Sequence, residues 1–502
     1  MRYDVIIVGY GPAGMVLAPL LAQRGHRVAV LERYAGLYNL PRAATFDDET
    51  MRIFQKIGIA DVVAAGTTPR LVYDWCNAEG RVLARHTFAE RGLSGWPEFS
   101  MMYQPWLEDQ LDGVCRNLSG VDVLHEHEVT GLRQDDREVI VETVTPQGLR
   151  SFTAQYVVGC DGGNSAVREL LGVALDDYGF CEPWLVCDFE LKRSADGLPP
   201  ALQLGDPAQP VSIFTIDDKH QRFAFMLDDR HEITEADVWR KVSRWLKPDE
   251  AVPIRVATYT FRSRSAQRWR DGRVFLAGDA AHEMPPFLGQ GMCSGIRDTA
   301  NLAWKLSLVL SAAASESLLD TYQVERAPHV RKITEKAIEM GRLQTIRDLA
   351  EARARDEVML KARAAGDQPA AYAFPAYDAG FLSGSGSGRG RLFPQGRVRA
   401  ADDAITRFDD VVGDGFHVVT LDPVAVGDLP VDVDLCVIAE GGVTDVDGVY
   451  PSWFSEHGCT TAVVRPDGYV FGTARDAAGL TRVLAELGER LDRPRRTRRM
   501  PS

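Results

Sequence analysis

Residues 272–306, GRVFLAGDAAHEMPPFLGQGMCSGIRDTANLAWKL, decide how this chain is read. The apolar run Val274-Phe275-Leu276-Ala277 predicts a buried strand that ends at Gly278-Asp279. A Pro285-Pro286 turn and a glycine-rich loop follow. The spacing of Ile296, Ala300, Ala303, Leu306 and Leu310 then predicts a helix. An Asp at a strand end can bind ligand hydroxyls, and the N-terminus of the helix beside it faces negative charge. Gly-Asp alone would also fit an ordinary strand-loop-helix crossover.

Two further segments narrow the reading. Gly9-Tyr10-Gly11-Pro12-Ala13-Gly14 is GxGxxG between a strand at 3–9 and a helix beginning at Pro12. Gly9 permits the tight turn, Gly11 lets the backbone approach a pyrophosphate, and Gly14 allows close helix–strand packing. The next strand, 28–32, ends in Glu32, whose carboxylate suits an adenosine ribose without a 2′-phosphate, hence FAD or NAD in this site. A third apolar strand, 156–159, runs into Cys160-Asp161-Gly162-Gly163-Asn164-Ser165-Ala166-Val167-Arg168. Read locally, that is a helix start capped by Asn164 or Ser165.

Composition sets outer bounds. A chain of 502 residues, 45% apolar and 25% charged, implies a globular protein of two or three domains. The formal net charge of -14 argues against a general nucleic-acid partner. The Arg-rich tail (Arg493, Arg495, Arg496, Arg498, Arg499) reads as a solvated end. Eight cysteines without CxxC or metal-ligand spacing read as reduced thiols in a cytoplasm, with no metal site. No apolar run approaches the length of a membrane span, and because the sequence opens on a strand no cleavable signal peptide is expected.

Strand-like alternation at 184–191, 211–216, 221–227 and 254–261 predicts an antiparallel sheet inserted at 175–265. It divides an α/β unit into parts at 1–174 and 266–379. A small hairpin is expected between 70 and 100, and charged helices between 314 and 365. Residues 380–395, beginning GFLSGSGSGRGR, read as a linker. A compact unit at 396–492 and the basic tail at 493–502 complete the chain.

The three motifs, in this order, resemble those of the class A FAD-dependent aromatic hydroxylases. The likeness is strongest to the 3-(3-hydroxyphenyl)propionate hydroxylases and related phenol and polyketide hydroxylases. It extends through PRAATFDDETMR, GCDGGNSAVR, WLVCDFEL, LLDTYQVER and VVRPDGYVFG. The resemblance implies a Rossmann-like FAD-binding domain, a β-sheet substrate domain at 175–265 and a thioredoxin-like C-terminal domain. Cys459 stands there without a CxxC, so packing rather than redox chemistry is expected. The resemblance further implies that NADH or NADPH reduces FAD and that O2, through a flavin C4a-hydroperoxide, hydroxylates a phenolic substrate. A cytoplasmic homodimer follows by analogy.

By the same resemblance, Gly9, Gly11, Pro12, Ala13, Gly14, Glu32, Arg33 and Val129 bind FAD on its adenosine side, with Asp161 near the pyrophosphate. Gly278 and Asp279 reach the ribityl chain. Pro286, Gly289, Gly291 and Met292 face the isoalloxazine, Pro286 at the reacting edge. Arg42 reaches the flavin region and Gln104 contacts FAD, although a surface helix N-terminus is the other reading of Gln104. His282 is a structural part of the string. Tyr259, Arg222 and Trp184 lie on strands of the inserted sheet as substrate-side candidates, or as core. A larger natural-product phenol or hydroxypyridine is the alternative substrate, and epoxidation or halogenation a remoter chemistry.

Overall fold

The apolar runs pair side by side. In the computed structural model, which describes residues 2–228, 233–367, 373–400, 403–422, 433–439 and 442–491, Arg2–Val8 is central to a parallel array. It bonds to Val28–Leu31 on one side and Gly148–Gly159 on the other. Val121–Leu124 and Val274–Leu276 extend the two flanks. Val5, Ile6 and Ile7 are wholly buried, which is why this strand reads as a continuous apolar run rather than an alternating one. The helices Pro12–Ala22 and Gly291–Leu310 pack together beside it. Gly295 lets the Gly278 turn lie close against that pair: a Cβ on Gly295 would sit 3.0 Å from Gly278 Cα.

The second sheet has eight strands, with Ala251–Ala266 and Leu175–Leu191 forming its long central ladder. One face carries Leu185, Cys187, Phe189, Phe223 and Phe225 against the helix Glu235–Val242. The other face turns toward the first sheet. The hairpin expected between 70 and 100 forms at Val72–Asn77 and Val82–Thr87, but it belongs to this second sheet, parallel to Ala201–Gly205. Alternation specifies a hairpin and is silent about which sheet edge receives it. At the other edge His282–Glu283, from the opening segment, pairs with Arg264 and Ser265 and stitches the two sheets together.

The C-terminal unit holds a four-stranded sheet in the order Val433–Val437, Phe416–Thr420, Thr461–Val464, Val470–Ala474, closed by the helix Ala477–Leu491. The first pair is parallel and the others antiparallel. Its core is shared with the first domain, because Trp304 packs among Phe381, Phe416 and Leu487. The segment read as a linker is correspondingly fixed. Phe381, Leu382 and Ser383 are buried, and the Phe381 N–H donates to Glu325 at 2.6 Å. Gly390 (φ +73°) lies where a side chain would strike the Tyr377 carbonyl. Its glycines serve close packing here, overriding the flexibility that the composition has in an isolated chain. The basic tail lies outside the described residues.

Three successive buried acids, Asp47, Asp48 and Glu49, start the helix Asp48–Lys56. Burial and then the neighbouring Asp47 push the Asp48 carboxyl up to about 7, with Glu49 adding to the effect. The folded chain therefore keeps a proton that the unfolded chain releases near pH 4. The resulting stabilisation is full in acid and is lost as pH rises through about 7. Asp48→Asn should melt about 2–4 °C above the wild type at pH 8 and lack its fall in melting temperature between pH 5 and 8. Parallel pH curves for the two proteins would contradict the assignment.

Candidate functional site

The three glycine-bearing motifs meet at the strand ends of the first sheet. A Cβ on Gly9 (φ +100°) would lie 2.5 Å from the Cys160 carbonyl oxygen, so the first motif touches the second. A Cβ on Gly11, by contrast, would meet only the Arg42 guanidinium, at 3.9 Å. That open space beside a cation and a helix N-terminus begun by Pro12 and Ala13 is a cradle for a pyrophosphate. Gly14 instead lies against the Gly9 carbonyl, where any side chain would collide. The Glu32 carboxylate accepts the N–H groups of Tyr10 and Tyr34, each at 2.9 Å, and is half-buried at the strand end. Arg33 is exposed over the Tyr34 ring, and Val129 is buried in the main core.

On the other side Asp279 is reachable by solvent and has no hydrogen-bond partner among the described residues. Its surroundings push its carboxyl above the usual range, by desolvation first, against the opposing pull of His282 and Arg42. A carboxylate that solvent reaches and that no protein group engages is free to accept from a ligand hydroxyl. Pro286 is exposed, Gly289 takes φ +66°, and Gly291 and Met292 open the twenty-residue helix Gly291–Leu310. No side chain caps that helix start, so its first-turn N–H groups face outward as a partial positive charge. These residues fit the ribityl chain and isoalloxazine of FAD as the glycine cradle fits its pyrophosphate.

Other sequence-predicted residues hold the site without facing it. The Asp161 carboxylate accepts from the Ser165 hydroxyl at 2.5 Å and the Val167 N–H at 3.0 Å, capping its own helix. Arg168 donates to the Ala280 carbonyl at 2.9 Å and the Gly163 carbonyl at 2.7 Å, tying this motif to the Gly278-Asp279 turn. Gln104 is buried; its carbonyl accepts the N–H of Arg42 and of Ala43, and its amide donates to Glu108. It clamps the Arg42 loop, where the sequence suggested contact with FAD. Arg222, a substrate-side candidate or core residue by sequence, is likewise held by protein groups. It forms a two-point pair with Asp188 and donates to the Arg42 carbonyl at 2.6 Å, leaving its guanidinium engaged on protein.

The sequence reading assigned no role to the charged groups beneath the loops. Asp298, wholly buried, accepts from the Gly278 N–H at 3.0 Å and from Arg326 at 2.8 Å, with His282 Nε2 at 2.6 Å. His282 is thus structural, as expected. Burial alone would raise the Asp298 carboxyl; His282 and Arg326 outweigh it and hold it low. Arg297 binds Asp47 and Glu49 and donates to the Gln290 side chain at 2.8 Å, just ahead of Gly291. Helical spacing marks Arg297 and Asp298 only as interior positions of an otherwise apolar helix; that anomaly was the available signal.

The facing sheet presents a row of small side chains in register, Ala257, Val186, Ala224 and Ser212. Trp184, Tyr259 and Met226 stand on one side of the row, Asp188, Arg255 and Arg222 on the other. Phe287, next to Pro286, lies 5.7 Å from Trp184. The Tyr259 hydroxyl and the Trp184 indole N–H are buried and have no partner. Arg255 donates to the Pro41 carbonyl and to the Tyr38 hydroxyl, lies 5.1 Å from the Tyr259 ring centre, and forms no ion pair among the described residues.

Asp279→Ala should weaken FAD binding about 10- to 100-fold, the cost of one hydrogen bond to a charged group. The dissociation constant from flavin fluorescence checks this, and a variant that purifies fully yellow and binds FAD normally would remove the role.

Comparison with known proteins agrees with this geometry. A family model described as an FAD binding domain matches residues 2–337, and one described as an HcaD C-terminal domain matches residues 438–490. The chain is 48% identical over 505 residues to a probable NADH-specific resorcinol 4-hydroxylase of Rhodococcus jostii (strain RHA1), covering 96% of this chain and 94% of that protein. It is 32% identical over 513 residues to a 3-(3-hydroxy-phenyl)propionate/3-hydroxycinnamic acid hydroxylase of Escherichia coli O157:H7 (strain EC4115 / EHEC), covering 94% and 92%. A solved ternary complex of aklavinone-11 hydroxylase with FAD and aklavinone superposes with a TM-score of 0.80 at 25% identity, over 98% of this chain and 99% of that one. The FAD-binding match spans more than half of the sequence and the relatives nearly all of it, and the chain belongs to the family of FAD-dependent aromatic hydroxylases.

Proposed function

We propose that this protein hydroxylates a small phenol of the resorcinol type, with FAD as bound cofactor, NADH as electron donor and O2 as oxygen source. The observation that carries the substrate reading is the pair of buried, unpartnered polar atoms, Tyr259 Oη and Trp184 Nε1, beside the row of small residues. An unpaired buried polar group costs roughly 1–3 kcal/mol, which a ligand hydroxyl would relieve. Pro286, Gly289, Gly291 and Met292 would hold the isoalloxazine of FAD, which, reduced by NADH, would activate O2 for transfer of one oxygen atom to the ring and release of the other as water. The protein's own part is to bind the ring against the row of small residues and to orient it through the Tyr259 hydroxyl. It also has to keep water out. Arg255, which forms no ion pair among the described residues, stands on this face 5.1 Å from the Tyr259 ring centre. Its positive charge favours a phenolate, whose ring is richer in electrons at the positions ortho and para to oxygen.

The probable NADH-specific resorcinol 4-hydroxylase, 48% identical over nearly the full length, supports both the substrate and the donor. Carboxylate recognition of the phenylpropionate kind would want a guanidinium free for bidentate binding. Arg222 and Arg255 instead donate to Asp188, Arg42, Pro41 and Tyr38. The aromatic closure by Trp184, Phe261 and Phe287 favours a small ring over a polyketide. The strand order of the C-terminal sheet, one parallel pair followed by two antiparallel partners, supports a thioredoxin-like unit. Eight free thiols suit a cytoplasmic setting. No helix among the described residues is long and apolar enough to cross a membrane. A homodimer rests on family likeness alone.

FAD-loaded protein should oxidise NADH faster on addition of resorcinol and release a product heavier by one oxygen atom in mass spectrometry. Higher kcat/KM with 3-(3-hydroxyphenyl)propionate would overturn the small-phenol reading, and no stimulation by any phenol would overturn hydroxylation itself. Tyr259→Phe should lower kcat/KM for resorcinol about tenfold while leaving FAD content unchanged.

A further inference from the structure

Two tyrosines join the C-terminal unit to the loops of the cofactor site. Tyr469, on the turn between Thr461–Val464 and Val470–Ala474, stacks on Tyr377 with ring centres 4.2 Å apart. Its hydroxyl donates to Glu49 Oε1 at 2.9 Å, across 420 residues of sequence. The other oxygen of Glu49 accepts from Arg297 Nε, and Arg297 Nη1 donates to Gln290, the residue before Gly291. On the far side of the stack, Arg326 Nη1 donates to the Tyr377 hydroxyl at 3.4 Å, while Arg326 Nε holds Asp298 and through it the Gly278 N–H. The stack therefore ends on both loops. One path reaches the start of the helix Gly291–Leu310, and the other the turn bearing Asp279.

We propose that Tyr469 is a positioning residue for the FAD site: the C-terminal unit sets the geometry of the Gln290-Gly291 loop through Tyr469, Glu49 and Arg297. The inference rests on FAD binding at that loop and is independent of which phenol is hydroxylated. The physical argument is one of charge. Arg297 is the guanidinium that offsets Asp47 and Glu49 in a site that water does not reach. A carboxylate there needs its hydrogen bonds filled, and those bonds fix its direction. With Tyr469 removed, Glu49 can satisfy both oxygens only by turning on Arg297, and Gln290 loses the donor orientation that holds it.

Tyr469→Phe keeps the stack and removes only the hydroxyl. Measured in the cold, well below the melting transition, its FAD dissociation constant should rise about 5- to 10-fold. The visible circular dichroism of the bound flavin should change with it. Leu487→Ala serves as the control, because it opens a cavity in the C-terminal core without touching the relay. It should lower the melting temperature and leave the dissociation constant and the flavin spectrum unaltered. Glu49→Gln combined with Tyr469→Phe should weaken FAD no more than the worse single variant, as expected of two residues on one path. A Tyr469→Phe protein with wild-type affinity and spectrum would overturn the proposal. So would a Leu487→Ala protein that loses FAD to the same degree, since general loosening would then explain the effect. Failure of resorcinol turnover would bear on the substrate and leave this result standing.

Discussion

The Asp298 carboxylate is the constraint from which the site is built. It lies out of water at the interior face of the helix Gly291–Leu310 and accepts the Gly278 backbone N–H together with Arg326, with His282 at hydrogen-bond distance. Removing one partner of such a buried pair costs roughly 3–5 kcal/mol, because the other charge is left uncompensated. The Gly278-Asp279 turn is therefore held from behind by a bond that does not loosen locally. The Asp279 side chain is left free to face a ligand.

The same economy of roles recurs on the facing sheet. Asp188 and Arg222 engage each other, and Arg222 reaches across to the Arg42 carbonyl. Gln104 takes the adjacent N–H groups from the opposite direction. The Arg42 loop is thus gripped by both domains, so the distance between the glycine cradle and the row of small residues is set by direct bonds. Between the two sheets, groups without a protein partner include Asp279, the first turn of the helix from Gly291, Tyr259 Oη and Trp184 Nε1. These are the groups to which the proposed function gives a cofactor or substrate partner.

The C-terminal unit belongs to this arrangement physically. It shares a hydrophobic core with Trp304 and a buried ion cluster in which Arg465 and Lys305 both bind Glu325. Arg52 pairs with Asp409 across the same boundary. A glycine-rich segment between two such units reads as a spacer in isolation, yet Phe381 and Ser383 are as buried as core residues.

The strand-helix units, the three glycine motifs, Glu32 and Asp279 at strand ends, and the family were all legible in the amino-acid sequence. Each is written in neighbouring residues, as an apolar run, a helical period or a glycine spacing that a short stretch of backbone imposes on itself. It also announced the small hairpin and the inserted sheet through alternation. It took the folded chain to show that the hairpin joins the second sheet, that Arg222 and Gln104 clamp a loop, and that the 380–395 segment is packed. It alone brought Tyr469 to Glu49 and Asp47 to Arg297. The reason is range. Buried charges find their partners hundreds of residues away, and a local pattern carries no information about which distant side chain will fill a carboxylate's last hydrogen bond.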